Sequence, residues 1–189
     1  MKPLSEGMTL YHGSYCAVVE PDLSKCSKYK DFGQGFYLTT SLSQARSFAK
    51  ISATKAKSNG IVPTNEKYAW VSVFRATDIS ELKCFVFHDA DIEWLHCIIA
   101  HRRNGAFTEI RKKMIDYDVI CGKIANDDTN ATITAYMGNV FGQMGSANAD
   151  NVCIGLLIPQ RLKDQYCFRS QRAISSLKFI SKEAIDLEP

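Results

Sequence analysis

The sequence predicts a single α+β domain, and three observations lead to this prediction. Its 189 residues are the length of one domain. With 46% hydrophobic and 23% charged residues, the composition is that of an ordinary globular protein and argues against disorder. Short runs of aromatic and β-branched residues lie toward both ends of the chain, and helical patterns fill the middle. We therefore expect residues 1–189 to build one core without a separate second domain.

The first half of the chain is expected to contain four strands and one helix. Residues 8–11 are a short β-type run, and residues 21–35, which hold a proline and two glycines, predict a loop. Ser41 or Ser43 can cap a helix that runs to the stop signal at residues 58–60. The other expected strands, rich in aromatic and β-branched side chains, are residues 36–40, 68–76 and 83–87.

The second half is expected to begin with a helix at residues 89–101, where apolar side chains recur at helical spacing. Residues 117–124 predict a strand, and a turn at residues 126–128 is expected to lead into a helix over about 131–141. Residues 142–151 are small and polar and predict a loop. The last expected elements are a strand at 165–168, a helical turn around Ala173 and a strand at 177–180.

The seven cysteines include no C-x-x-C pair, so their spacing fits neither a zinc knuckle nor a thioredoxin motif. Cys84, Cys121, Cys153 and Cys167 lie in apolar, strand-like runs, where a reduced cysteine behaves as a small hydrophobic residue. We expect these four thiols to lie in the core, and no metal to be bound.

Charge and hydropathy favour a cytoplasmic protein without a membrane segment. No stretch approaches the roughly 20 apolar residues that span a bilayer, and the N-terminus lacks the apolar segment of a signal peptide. An effector secreted without a leader would have the same features. The net charge of +3 is compatible with an anionic ligand but is small for a dedicated nucleic-acid-binding protein.

Two alternative functions stay open at this point. The basic clusters at residues 101–103 and 111–113 could follow a phosphate backbone, which would make the protein RNA-binding or RNA-modifying. A hydrolase could pair one of the cysteines with His88, His96 or His101, although no spacing selects a pair.

Three short motifs carry the residues with chemical potential. The first is Leu10-Tyr11-His12-Gly13-Ser14, in which a histidine ends a strand and a glycine follows it. The second, residues 32–40, reads FGQGFYLTT and holds Gly33, Gly35 and Tyr37, where the glycines allow a close approach to a bound group. The third is Asp164-Gln165-Tyr166-Cys167-Phe168. Taken singly, a histidine at a strand end or a G-x-G turn is explained by structure alone.

Taken together and in this order, the motifs resemble those of the ADP-ribosyltransferases. The resemblance is to the branch of poly-ADP-ribose polymerases and diphtheria toxin, whose signature is a histidine, a tyrosine and a glutamate on three strands. The polymerase motifs read W-H-G-S, F-G-x-G-I-Y-F-A-D and N-E-Y-I-V-Y, and a leucine-lysine-phenylalanine strand follows, here residues 177–179. The overall pattern looks most similar to small bacterial proteins of this superfamily.

The resemblance implies a split β-sandwich of two small, mostly antiparallel sheets with surrounding helices and an NAD cleft. His12 would hydrogen-bond a ribose hydroxyl, the backbone of Gly13 would pair with the nicotinamide carboxamide, and Tyr37 would stack on the ring. Phe48, eleven residues after Tyr37, would close the ring sandwich. A serine that forms an amide hydrogen bond in the polymerases is replaced by Ala45. The residues implied to bind NAD are Tyr11, Gly13, Ser14, Gly35, Arg46 and Phe48, and the implied catalytic residues are His12, Tyr37 and Gln165.

Gln165 stands where the family pattern has glutamate. A glutamine can hydrogen-bond a ribose hydroxyl, but it has neither the charge that stabilises an oxocarbenium ion nor the basicity that activates an acceptor. Slow NAD cleavage or transfer of a single unit would follow. Gln171 is the alternative for this third position.

Several other polar residues have two explanations each. Asp127 and Asp128 could face an acceptor, or they could belong to a turn that caps the following helix. Arg46, Lys28 and Lys30 could offset the charge of a pyrophosphate, or they could be solvated surface residues.

The resemblance thus implies an NAD-dependent mono-ADP-ribosyltransferase that needs no metal and modifies a macromolecule. A protein is the expected acceptor, and RNA or DNA is the alternative. Small bacterial relatives of this kind act as toxins in toxin–antitoxin or phage-defence systems, so a cognate antitoxin protein is an expected partner. The alternatives are a non-catalytic module that binds NAD or ADP-ribose and an NAD glycohydrolase.

Overall fold

The computed structural model describes residues 1–125, 127–158 and 162–187, without the side chains of residues 127 and 128. Within these residues it contains seven strands, six α-helices and one 3-10 helix, which confirms the α+β class. The strands are β1 (Thr9–Ser14), β2 (Phe36–Leu38), β3 (Tyr68–Ala76), β4 (Cys84–Val86), β5 (Val119–Lys123), β6 (Asp164–Phe168) and β7 (Leu177–Asp186). The helices are α1 (Leu42–Ser58), α2 (Ile92–Arg102), α3 (Thr108–Met114), α4 (Asp127–Met137), α5 (Ala147–Leu157) and α6 (Gln171–Ser175), and the 3-10 helix is Leu23–Lys25.

The strands form two small sheets. The first has three strands in the order β1-β3-β7, and both pairs are antiparallel. The second has four strands in the order β2-β6-β5-β4, in which only the β4–β5 pair is parallel. Two small and mostly antiparallel sheets are therefore present, as the resemblance to the ADP-ribosyltransferases implies.

A shared apolar cluster holds the two sheets face to face. Leu10 and Phe74 contribute to it from the first sheet, and Phe36, Tyr166 and Phe168 contribute from the second. All five side chains are almost fully buried. Because side chains alternate between the two faces of a strand, each sheet has a second face that helices cover.

Helix α1 covers the outer face of the first sheet with a stripe of small residues. Ala45, Ala49 and Ala53 recur at a spacing of four, so they share one side of the helix, and they pack with Val71 of β3. The outer face of the second sheet is covered by α2, α4 and α5, whose buried residues include Trp94, Ile98, Ile133, Tyr136 and Cys153.

The sheets are joined at the edges formed by β1 and β2. Tyr11 donates its backbone N–H to Thr39 at 2.8 Å, and Thr39 returns a hydrogen bond to Tyr11 at 3.0 Å. This antiparallel bridge brings the first and second motifs of the sequence side by side.

The helical region after residue 125 differs from the sequence prediction. Helix α4 begins at Asp127 rather than near residue 131, and it ends at Met137. The expected loop at 142–151 was wrong in its second part, because α5 begins at Ala147, with the Ser146 hydroxyl accepting a hydrogen bond from the backbone of Ala149. The sequence did not predict this helix because small polar residues lie between its apolar ones. Ala149, Cys153 and Leu157 nevertheless form a buried stripe at a spacing of four. Asn126 lies outside the described residues.

Two further expectations need correction. Strand β7 continues to Asp186, six residues beyond its predicted end, because it pairs with the whole length of β3. Cys84 is exposed on β4, whereas Cys121, Cys153 and Cys167 are buried as predicted. Cys84 lies on a strand that is an edge of its sheet, and this position does not follow from local sequence.

Gly13 allows α1 to lie directly on β1. A Cβ atom at this position would come within 1.9 Å of the Ala45 carbonyl oxygen and 2.8 Å of the Ala49 nitrogen. Both contacts are with helix backbone, so a side chain would force the helix away from the sheet.

We expect Gly13→Ala to lower the free energy of unfolding by about 3 kcal/mol, or roughly 6–12 °C in Tm. Gly155→Ala is the control, since a Cβ atom there meets nothing within 4 Å and alanine is favoured over glycine in a helix by about 0.5–1 kcal/mol. Thermal unfolding followed by circular dichroism measures both. Equal stability of the Gly13→Ala protein and the wild type would contradict the close packing of α1 on β1.

Candidate functional site

The three motifs lie on three neighbouring strands, β1, β2 and β6. The Tyr11–Thr39 bridge links β1 to β2, and β2 pairs with β6 so that Tyr37 lies opposite Cys167. Gln165 is two residues from Cys167 and therefore shares its side of the sheet with Tyr37. Residues separated by 153 positions in sequence, from His12 to Gln165, are thus brought into one region.

His12 is fixed by the backbone of the second motif. Its Nδ1 atom lies 2.8 Å from the Tyr37 carbonyl oxygen, and its ring lies 4.3 Å from the ring of Phe36, measured between centroids. A carbonyl only accepts hydrogen bonds, so Nδ1 carries the proton. Burial lowers the pKa of the imidazole, and the hydrogen bond to Tyr37 offsets part of that shift. The neutral ring therefore has a lone pair on Nε2, for which no described residue is a partner.

The Tyr37 side chain is tied to the loop that precedes its own strand. Its hydroxyl accepts a hydrogen bond from the Phe32 N–H at 2.9 Å and donates one to the Gly33 carbonyl at 2.8 Å. Burial raises the pKa of this hydroxyl well above its usual value, so the phenol is neutral. Tyr37 packs on the helical side of the second sheet, and Phe36 faces the first sheet. The rings of His12 and Tyr37 therefore lie on opposite faces of β2.

Gln165 belongs to a buried polar network. Its Nε2 group donates to Asp31 Oδ2 at 2.8 Å and to the Lys123 carbonyl at 3.1 Å. Asp31 also accepts from the Ala125 N–H at 3.1 Å and from Arg102 Nε at 3.0 Å. Gln165 is 4% exposed and Asp31 is 6% exposed. Both amide hydrogens of Gln165 are used, so Oε1 is the group left to meet a ligand.

Asp31 and Arg102 are site residues that the sequence does not reveal. Asp31 lies in a polar stretch that predicts a surface loop, and Arg102 lies in a basic cluster at a helix end. They are 71 residues apart, and their ion pair forms only when the loop folds over the end of α2. The one sequence feature that points to Asp31 is its position, because this charged residue directly precedes the F-G-x-G motif.

Gly35, Ser14 and Tyr11, which the resemblance implies bind NAD, each pack against a neighbouring element. A Cβ atom on Gly35 would lie 2.4 Å from Cys167 Sγ and 2.8 Å from the Phe168 carbonyl oxygen, so glycine lets β2 and β6 approach. Ser14 ends β1 opposite Trp70 and is buried. Tyr11 is partly buried beside the alanine stripe of α1.

Helix α1 separates two of the implied binding residues. Arg46 pairs with Glu183 of β7 at 2.6 Å, on the flank of α1 next to β7. Phe48 is two residues further on, a rotation of roughly 200° around the helix, so it lies on the other flank. Ala45 is buried between them. Arg46 and Phe48 therefore do not converge on one point.

Gln171, Lys28 and Lys30, the other residues that the sequence suggested, lie at the surface. Gln171 is exposed at the start of α6, whereas Gln165 lies on the strand beside β2. Lys28 and Lys30 are exposed. The side chains of Asp127 and Asp128 lie outside the described residues.

The basic clusters are largely neutralised by local partners. Arg102 pairs with Asp31, Lys112 with Glu109 and Lys113 with Glu93. Arg103 and Arg111 have no acidic partner among the described residues, so the two clusters retain separate charges rather than a continuous positive surface for a phosphate backbone.

Cys97 and His101 form a thiol–imidazole contact, with 3.7 Å between Sγ and Nδ1. Burial raises the pKa of the Cys97 thiol to about 12, which is opposite to the shift that activates a nucleophile. His101 Nδ1 also contacts the Cys97 carbonyl at 2.8 Å. This geometry does not favour a cysteine hydrolase.

The described residues contain neither a cluster of metal ligands nor a helix that could span a membrane. Among the described residues, no three or more histidine, cysteine, aspartate or glutamate side chains are grouped so that they could hold a metal ion. None of the described helices is both long and apolar enough to cross a bilayer.

The protein is thus an α+β protein in which a histidine, a tyrosine and a glutamine lie on three neighbouring strands. A family model described as "Protein of unknown function (DUF3990)" matches residues 8–179. The chain belongs to this family. The match begins next to β1 and ends within β7, so it includes all three motif strands. A comparison with curated proteins gave no match.

We expect Asp31→Ala to destabilise the protein by about 3–5 kcal/mol, because it leaves the buried Arg102 charge without its partner. Glu183→Ala, which breaks the exposed ion pair with Arg46, should cost at most about 1 kcal/mol. Urea unfolding of the two variants gives the comparison. Similar losses from both would show that the Asp31 network is solvated.

We also expect His12 to remain neutral at pH 7, with its proton on Nδ1 and a pKa below the 6.5 of a free side chain. Since the unfolded state then binds the proton more readily, His12 should lower stability as the pH falls below 6.5. Nitrogen-15 NMR of the imidazole reports both the tautomer and the pKa. A proton on Nε2 at pH 7 would be incompatible with the Tyr37 hydrogen bond.

Proposed function

We propose that the protein is an NAD-dependent mono-ADP-ribosyltransferase with the fold of that superfamily. The observation that carries the proposal is the pairing of the first two motifs: His12 is held by the backbone of Tyr37 and keeps a neutral Nε2 acceptor. The adjacency of β1, β2 and β6 supports it further, since the three motif residues come from these strands. Because His12 and Gln165 lie on opposite faces of the second sheet, the dinucleotide would have to reach both around the sheet edge that β2 forms.

His12 would bind a ribose hydroxyl of the dinucleotide. A hydroxyl donates its proton to the Nε2 lone pair, while Nδ1 keeps the ring in place through Tyr37. A charged imidazolium could not accept this hydrogen bond, so the lowered pKa of His12 favours binding at neutral pH. One hydrogen bond of this kind contributes about 1 kcal/mol.

Gln165 would orient the ribose from which nicotinamide leaves. Asp31 and the Lys123 carbonyl hold both of its amide hydrogens, which leaves Oε1 as the acceptor for a ribose hydroxyl. Cleavage of the nicotinamide bond leaves positive charge on the ribose, and the neutral amide stabilises it less than a carboxylate does. Transfer of single ADP-ribose units is the expected outcome.

The acceptor in this proposal is a protein rather than a nucleic acid, because Arg102, Lys112 and Lys113 already have acidic partners. As for small bacterial members of the superfamily, we propose a toxin role with a neutralising partner protein and a cytoplasmic site of action.

A second candidate function is a binding module for NAD or ADP-ribose that lacks catalysis. Arg102 balances the charge of Asp31, so the carboxylate nearest to Gln165 adds little negative charge to the site. The Tyr37 hydroxyl is likewise bonded to Phe32 and Gly33, and a ligand stacked there would have to keep or replace those contacts.

The test is to incubate the protein with radiolabelled NAD and a mixture of cell protein and nucleic acid. Label on protein that is lost at least tenfold in His12→Ala supports transfer, and His88→Ala is the matched control because His88 is exposed and outside the motifs. NAD binding without label or released nicotinamide would identify the binding module. The absence of both binding and label would overturn the proposal.

Restoring the glutamate requires a second change. Gln165→Glu alone places a carboxylate next to Asp31 Oδ2, and the two like charges would raise the pKa of the new side chain. Asp31→Asn with Gln165→Glu moves the negative charge to residue 165 and keeps a hydrogen bond between the two side chains, while the Ala125 N–H and the Lys123 carbonyl each lose a partner. We expect the double variant to release nicotinamide from NAD faster than the wild type, by roughly tenfold or more, and faster than Gln165→Glu. A double variant that folds but is no faster would argue against Gln165 at the reacting ribose.

A further inference from the structure

A cavity of about 380 Å³ lies at the end of the second sheet away from Gln165. The loop ahead of β2, the segment that follows α3 and the residues after β6 enclose it, and Gly33, Tyr117 and Ser170 are part of its wall. Arg169 follows Phe168 at the end of β6. Arg169 is four positions after Gln165, which is roughly 13 Å along a strand.

Three cationic side chains line this cavity, and none has an acidic partner among the described residues. They are Lys28, Arg111 and Arg169. Neighbouring cations do have partners: Lys112 pairs with Glu109, and Arg172 pairs with Asp118. The three unpaired positive charges therefore surround one cavity.

The acidic residues at the cavity do not cancel these charges. Asp118 is already bonded to Arg172, to the Ser170 hydroxyl and to the Lys83 N–H. Asp116 is exposed and has no ion-pair partner among the described residues. One carboxylate against three cations leaves about two uncompensated positive charges, which matches the charge of a phosphate monoester dianion.

Arg169 is held in position to bind an anion. One of its terminal nitrogens donates to the Met114 carbonyl oxygen, which fixes the guanidinium, while its buried Nε atom has no hydrogen-bond partner. Buried His101 Nε2 in the cavity wall is also without a partner. Burial lowers the pKa of His101, and the nearby Arg169 and Arg111 add to this shift, so the positive field reaches the wall.

We propose that this cavity is a binding site for a phosphate monoester, separate from the site around His12 and Gln165. Arginine guanidinium groups bind phosphate oxygens through paired hydrogen bonds. The volume exceeds that of the phosphate alone and lies within the range of small-molecule sites. Tyr117 and the exposed Ile115 provide apolar surface for the organic group that carries the phosphate. The proposal does not depend on NAD chemistry.

Titration calorimetry with phenyl phosphate at pH 8 and low salt tests this site, because the probe is then a dianion. We expect saturable binding at one site, weaker binding of inorganic phosphate and no binding of phenol. Arg111→Gln should weaken phenyl phosphate binding roughly tenfold. Lys112→Gln, the same charge change on the next residue but at an ion-paired side chain, should change the affinity less than about twofold.

His12→Ala separates this proposal from the proposed function. We expect it to leave phenyl phosphate binding unchanged, whether or not it abolishes the use of NAD. No saturable binding to the wild type, equal binding of phenol, or equal weakening by Arg111→Gln and Lys112→Gln would each overturn the phosphate site. Weakening by His12→Ala would show that the probe occupies the other site and would overturn a separate cavity. Circular dichroism confirms that each variant is folded.

Discussion

The buried carboxylate of Asp31 is the point on which the candidate site depends. It bonds to Arg102 at the end of α2, to the backbone of Ala125 after β5, and to Gln165 on β6. A loop, a helix and two strand ends of the second sheet are therefore fixed by one side chain. Charges this deeply buried are retained only when they are paired and hydrogen-bonded, and every oxygen of Asp31 meets this condition.

This network also limits the chemistry that the site can perform. It orients the amide of Gln165 and leaves Oε1 free, which suits binding and positioning of a hydroxyl group. Arg102 also neutralises the negative charge of Asp31, so this carboxylate contributes little to the stabilisation of a cation on a substrate. On the first sheet, the neutral imidazole of His12 is an acceptor for the same reason that Gln165 is: its donor side is already bonded to the protein.

Local patterns in the sequence predicted much of the fold. Strand β3 has its predicted bounds, Tyr68–Ala76, because its aromatic and β-branched residues form one long run that favours a strand. Helix α1 begins after Ser41, one of the two predicted caps. Helix α5 was missed because its apolar residues are separated by small polar ones, and burial rather than propensity stabilises it.

The arrangement of side chains at the site could not be predicted in the same way. The motifs predicted that His12, Tyr37 and Gln165 come from three strands, and the structure has them on neighbouring strands. The faces on which the rings lie depend on how β1 meets β2, and the Asp31–Arg102 pair depends on a contact between residues 71 positions apart. Neither leaves a periodic signal in the sequence.

A double-mutant cycle on NAD affinity tests the central claim most directly, namely that Asp31 acts on a ligand through Gln165. The dissociation constant of NAD would be measured by titration calorimetry for the wild type, Asp31→Asn, Gln165→Ala and the double variant. We predict that each single change weakens binding and that Asp31→Asn has no further effect once Gln165 is alanine. Independent, additive losses would contradict the account.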